Sequence, residues 1–192
     1  MLAWLFGKRV SHPQVPAPDW RALRKGSNFL KSELRVLYSR FCDSCQDDGY
    51  LSKARFMFMP EMAYSPFAAL AFHFEAHNSP SPECIDFPGF VNLLSHLSPK
   101  APALDKVDYL CKVLKIGSDS PEPYLQKHDV AAILYQLCLG NVAPPVLDKI
   151  MDSAWDNITA AAPEARVRGI SKSELAALLS SLDILTYLTV PL

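Results

Sequence analysis

The sequence predicts an all-α protein, with four helix–turn–helix units in two paired lobes and short antiparallel β bridges between the turns. Three observations predict it. The phrase helix, polar turn, short apolar-centred triplet, helix recurs four times along 192 residues. Hydrophobic residues make up 49% of the chain and charged residues 20%, which excludes a disordered chain and supplies a core without disulfide staples. The seven glycines stand alone at 7, 26, 49, 89, 117, 140 and 169. Clustered-glycine phosphate loops are therefore excluded, since they need backbone bare of side chains at several close positions.

Each element follows in order. Residues 1–28 read as a basic arm kept extended by Pro13, Pro16 and Pro18. Residues 29–41 place Phe29, Leu30, Leu34, Leu37, Tyr38 and Phe41 at helical spacing. A polar turn CDSCQDDG, the triplet YLS and a short helical run KARFMFMPEM complete the first unit. The second has a helix over 66–77, the turn NSPSPE, the triplet CID and the helix FPGFVNLLSHL. Prolines 99 and 102 mark a lobe boundary. The third runs DKVDYLCKVLKI, GSDSPEP, YLQ, KHDVAAILYQLCL, and the fourth VLDKIMDSAWDNI, TAAAPEARVR, GIS, KSELAALLSSL. The expected division is an arm at 1–28, one lobe at 29–99, a second at 100–186 and a tail at 187–192. The triplets centre on Leu51, Ile85, Leu125 and Ile170. An apolar residue at that place is what pairs two EF-hand loops across a small bridge, so the units read as two EF-hand pairs.

At this point the chain resembles a known family. RVLYSRF, together with LSKARFMFMPEMAYSPF, resembles the start of calcineurin B and of the calcineurin B homologous proteins. FPGFVNLLSHLSP resembles the second-hand exit helix of the homologous proteins, including a glycine in place of glutamate. The similarity covers about residues 29–185. It implies a regulatory subunit: calcineurin B serves a phosphatase catalytic subunit, and the homologous proteins grip a juxtamembrane helix of sodium–proton exchangers.

The loops read as degenerate. A calcium loop needs oxygen ligands at positions 1, 3, 5 and 7, a glycine at 6 and a bidentate glutamate at 12. The first loop offers Ser44, Gln46 and Asp48 at positions 1, 3 and 5 and keeps Gly49, but ends on Arg55, whose guanidinium is placed to take the ion's position. The second has Asn78, Pro80 and Pro82, then Glu83 at 6 and Gly89 at 12. The third carries one extra residue, with Gly117 near 1, Asp119 near 3, Pro121 near 5, Glu122 at the glycine's place, and His128 or Asp129 near 12. The fourth keeps Glu174 at 12, but Pro163, Ala165 and Val167 fill 1, 3 and 5. No loop is expected to bind calcium at cytosolic concentrations, and neither a cofactor nor a metal is expected.

Other constellations are weaker. Cys42 and Cys45, with His73 and His77, have the spacing of two half zinc sites and support a zinc- or thiol-based sensor as an alternative. No nucleophile elbow, H-E-x-x-H or P-loop is present, so no enzyme is expected. No apolar run reaches membrane-spanning length, Leu2 excludes myristoylation, and five cysteines in an unsignalled chain point to a reducing cytoplasm. Net charge is −1, which disfavours nucleic acid. Residues 1–40, however, hold eight Lys/Arg against two acids, a balance of +6 that leaves −7 to the remainder. Peripheral membrane contact through residues 1–9, MLAWLFGKR, is one use for that charge.

A chain that keeps EF-hand helices and loses the ligands is expected to bind an amphipathic helix of a larger protein without calcium. The groove candidates are Phe56, Phe58, Met59, Phe67, Phe74, Phe90, Leu93, Leu94 and Leu97 in the first lobe. Those of the second are Val113, Leu114, Leu134, Leu137, Leu139, Ile150 and Leu179. Expected partners are a phosphatase catalytic subunit, an ion exchanger or a motor, the last making the chain a light-chain-like subunit. The expected location is cytoplasmic, with membrane or cytoskeletal association through that partner.

Overall fold

A computed structural model describes residues 15, 17–46, 48–63, 65, 67–77, 79, 81, 83–116, 124–138, 142–161 and 163–181. The expectations for residues 1–14 and 182–192 lie outside the described residues. In chain order the elements are α1 (Trp20–Lys25), α2 (Lys31–Ser44), β1 (Leu51–Ser52), α3 (Lys53–Met57), α4 (Pro60–Ala63), α5 (Ala68–His77), β2 (Cys84–Ile85), α6 (Phe87–Leu97), α7 (Ala103–Leu114), α8 (Lys127–Cys138), α9 (Pro144–Ala161), α10 (Ala165–Arg168) and α11 (Lys172–Ser181). Among the described residues the chain is mostly helical with one small antiparallel sheet, consistent with an EF-hand-like all-α arrangement.

The triplets pair as their apolar centres require. Leu51 faces Ile85 and Ser52 faces Cys84 in an antiparallel ladder. Leu125 and Ile170 exchange both backbone bonds, Leu125 N–H to Ile170 O at 2.7 Å and Ile170 N–H to Leu125 O at 2.9 Å. All four side chains are buried in the core. Each pairing thus satisfies loop backbone groups and at once pins two helix pairs to the same apolar interior.

Around the first bridge the core is aromatic. Phe41 of α2 meets Phe87 and Phe90 of α6, each with ring centroids 5.4 Å apart. Phe56 of α3 lies 5.1 Å from Phe72 of α5. Within the expected arm, residues 20–25 form a helix, not extended chain. Asp19 caps α1 by accepting from the N–H of Arg21 and Ala22, and Trp20 packs edge-on against Tyr38 and Phe87 at 5.5 and 6.4 Å. Pro18 stands before the cap, where it does not interrupt helix.

In the second half α7 packs against α11, with Lys172 paired to Asp108 at 3.0 Å. The turn expected over 159–168 is largely helical: α9 continues to Ala161, and α10 follows after Pro163. Alanine-rich sequence favours that extension, and Pro144 and Pro145 fit the first turn of α9, where no N–H is needed.

One apolar core runs from Phe29 through both halves to Leu179. A buried polar network crosses between the halves within it. Glu75 of α5 is 7% exposed, and its Oε1 accepts from the hydroxyl of Tyr109 of α7 and from the amide of Asn92 of α6, both at 2.8 Å. His96 stacks flat on Tyr109 at 4.3 Å, and its Nδ1 lies 2.8 Å from the Asn92 carbonyl oxygen. Burial raises the Glu75 carboxyl above its ordinary 4.5, and burial with the adjacent Glu75 raises the Tyr109 phenol well above its normal range. The native state therefore holds the Glu75 proton more tightly than the unfolded chain does. Its contribution is fully present below about pH 4.5 and is lost as pH rises through the raised native value. Glu75→Gln should flatten that part of the pH–stability curve measured by chemical denaturation. Glu75→Ala, which strands the Tyr109 hydroxyl, should cost about 2 kcal/mol.

Candidate functional site

The turns between the helices, expected to be degenerate calcium loops, show what their polar side chains touch. In the first, Gly49 adopts a φ of +81° and bonds back to the Gln46 carbonyl at 2.9 Å. The Asp48 carboxylate accepts the Tyr50 N–H at 3.0 Å. Arg55, at the twelfth position, donates through Nη1 to the carbonyl oxygens of Ser44 and Cys45 at 3.2 and 2.7 Å. These belong to the end of α2, where carbonyls lack helical partners and the dipole is negative. A cation on a side chain ties the loop's two ends together, as a bound ion would.

In the fourth loop Glu174 survives at the twelfth position, but its carboxylate is occupied. It accepts the Ser171 N–H at 2.6 Å and the Ser171 hydroxyl at 2.9 Å, and pairs with Arg168 Nη2 at 2.9 Å. The Ser171 N–H bond is the main cause that holds its pKa below the ordinary value. Arg168 stands at the sixth position with its guanidinium 4.7 Å from the Tyr124 ring centre. Here too an arginine stands against the residue that would hold calcium. Gly169 takes a φ of +86°, and a Cβ there would lie 2.6 Å from the Leu125 carbonyl oxygen, so only glycine fits beside the bridge.

In the second loop one of the two acids, Asp86, serves as a helix cap. Asp86 accepts the Gly89 N–H at 2.9 Å at the start of α6. Glu83, where glycine belongs, still takes the left-handed φ of +59°. In the third, Asp129 accepts the Gln126 N–H at 2.8 Å. Residues 117–123, which include Gly117, Asp119, Pro121 and Glu122, lie outside the described residues, as do Asn78, Pro80 and Pro82.

The zinc alternative finds no assembled site among the described residues. Among the described residues no three metal-ligating side chains converge. Cys45 is buried with its thiol pointed at the Cys42 carbonyl oxygen, and His73 is exposed, 2.7 Å from Lys53 Nζ. A thiol sensor fares no better. Burial pushes Cys45 and Cys111 up to about 11 and raises Cys42, so little thiolate forms at neutral pH.

The groove candidates divide sharply. Phe56, Met59, Phe67, Phe90, Leu93, Leu94, Leu97, Leu134 and Leu179 lie buried in the core. Phe74, Val113 and Leu114 are half-buried against it. Leu137 belongs to α8, and Leu139 lies outside the described residues. Phe58 is 89% exposed and Ile150 49%. Sequence periodicity missed Val36, 61% exposed on α2. Val36 and Leu37, with Phe29, Glu33, Arg40 and Pro99, line a hollow of about 270 Å³. Arg40 continues into a second hollow of about 560 Å³ walled by Asp43, Arg55, Phe58, Met59 and Pro60. Glu33, Val36, Leu37, Arg40, Asp43 and Ser44 recur at helical spacing, so the two hollows form one strip along α2. Its length is about 16 Å at the helical rise per residue.

No protein-family model matches the chain. Among curated proteins it is 26% identical over 171 residues to the calcineurin B subunit of Naegleria gruberi, an alignment covering 88% of this chain and 92% of that protein. This chain resembles calcineurin B over most of its length. An alignment of that length spans both halves of the chain.

Arg55→Ala should lower stability by about 1 kcal/mol, read as a fall in melting temperature, because the end of α2 loses its cationic cap. Glu83→Gly should raise stability by up to about 1 kcal/mol in the same measurement, since glycine adopts the left-handed turn without Cβ strain.

Proposed function

We propose that the chain is a non-enzymatic regulatory subunit of four degenerate EF-hands, in lobes at 29–99 and 100–186, that holds an amphipathic helix of a larger protein independently of calcium. The observation that carries the reading is the replacement of ion contacts by arginine, at Arg55 in the first loop and Arg168 in the fourth. A calcium sensor opens its groove because the ion pulls the twelfth-position carboxylate toward the loop. With that position filled by Arg55 or neutralised by Arg168, the hand has no ion-driven stroke. The likeness to a protein named as a calcineurin B subunit supports a role beside a larger polypeptide.

The strip along α2 is the receiving surface. Val36 and Phe58 are large apolar groups left in water, and contiguous exposed apolar surface marks interaction sites. A strip of about 16 Å takes roughly three turns of a partner helix. The partner is a phosphatase catalytic subunit or an ion exchanger, and the setting is cytoplasmic. The light-chain reading uses the same strip and differs in the partner's identity.

Isothermal titration should show no calcium binding at micromolar affinity. Affinity capture on the full chain followed by mass spectrometry should recover the same large protein in calcium and in chelator. Phe58→Asp and Val36→Asp should each weaken that recovery more than tenfold, roughly the effect of losing one interface anchor, while leaving the melting temperature within a few degrees. Recovery that appears only with calcium would refute the proposal.

A further inference from the structure

A second surface lies apart from the α2 strip. Trp20, Arg21, Arg24, Lys25 and Lys31 line a cleft of about 550 Å³ between α1 and the start of α2. That volume falls within the range of about 300–1,000 Å³ typical of small-molecule sites. Among the described residues that line it, four of five are cationic and none is a carboxylate. Among the described residues none of the four makes an ion pair. The nearby acids are committed elsewhere: Asp19 accepts from the first N–H groups of α1, and Glu33 accepts from the Leu30 N–H and pairs with Lys100.

Both rims of the cleft are fixed to the core. Trp20 is held edge-on by Tyr38 and Phe87. The connection between α1 and α2 is tied down by the Ser27 hydroxyl on the Leu23 carbonyl at 2.7 Å and the Asn28 N–H on Ser95 Oγ at 2.8 Å, and Phe29 is buried. The cations are thus displayed on anchored backbone, and among the described residues none of them is neutralised by a side-chain ion pair. Such a concentration of fixed positive charge beside an aromatic wall fits a ligand with several phosphate oxygens, which accept from arginine forks and lysine ammonium groups together.

We propose that this cleft binds a multiply phosphorylated headgroup. The chemistry is shared by a phosphoinositide in a membrane and by a soluble inositol polyphosphate, and the experiment separates them.

Binding of the full chain is measured by sedimentation with three vesicles: phosphatidylcholine alone, phosphatidylcholine with about one-fifth phosphatidylserine, and phosphatidylcholine with a few per cent phosphatidylinositol bisphosphate. Inositol hexakisphosphate is titrated separately by calorimetry. The triple variant Arg21→Glu, Arg24→Glu, Lys25→Glu is compared with a control that reverses the exposed Lys112 and Lys149. Binding of the bisphosphate vesicles that exceeds binding of the phosphatidylserine vesicles, falls at least about tenfold in the triple variant and persists in the control supports the site in its membrane form. Calorimetric binding of the hexakisphosphate with the same loss supports its soluble form. Equal binding to both anionic vesicles, equal loss in the control, or no binding in either arm overturns the proposal. The melting temperature of the triple variant, expected to match or exceed that of the parent because repulsion is relieved, confirms that loss of binding is not loss of fold.

Discussion

Two backbone pairings tie the helix pairs of the described residues together. Leu51 meets Ile85, and Leu125 meets Ile170. Each pairing sits where two polar turns touch, and each carries its apolar side chains straight into the core. A calcium-binding hand has the ion as an additional organiser of its loop. In this protein the bridges remain, and the loop ends are closed by charge within the chain: Arg55 on the carbonyls that end α2, and Arg168 against Glu174. The left-handed turns at Gly49 and Glu83 persist beside them, so the first two loops keep that turn after the ligands have gone.

On the proposed reading the fold works without an ion-driven switch. Arg55 and Arg168 are covalently part of the chain and do not leave it as calcium leaves a loop. The acids that remain have become helix caps, as Asp86 and Asp129 show. The Glu75 network further joins α5, α6 and α7 through one buried carboxylate, linking the two halves. Such a network is costly to leave half-satisfied, which favours a single packing of the halves. On the proposed reading, halves joined in this way and an exposed strip along α2 suit permanent attachment to a partner better than regulated capture.

Much of the fold was legible. Helical spacing from Phe29 to Phe41 and the four apolar triplet centres located the helices and both bridges, because burial enforces period and place. The loss of calcium ligands was equally plain, since ligand chemistry is a property of single residues. Other features were hidden. Phe58 and Phe56 look alike in sequence, yet one is 89% exposed and the other fully buried, because α3 ends at Met57 and turns Phe58 outward. Leu93 and Leu94 are adjacent and both lie in the core, since α6 is surrounded by neighbours on more than one side. The cysteine and histidine spacing suggested a metal site that the fold does not assemble.

By itself the sequence determined the repeat, the pairing of its apolar triplets and which residues stand at the ligand positions of the loops. Those properties reside in local patterning and in the chemistry of individual side chains. Tertiary structure decided which apolar residues remain in water, what the arginines at the loop ends touch, and that four cations of the first 31 residues converge on one cleft. Such outcomes depend on how helices distant in sequence lie against one another, and a linear pattern holds no record of that.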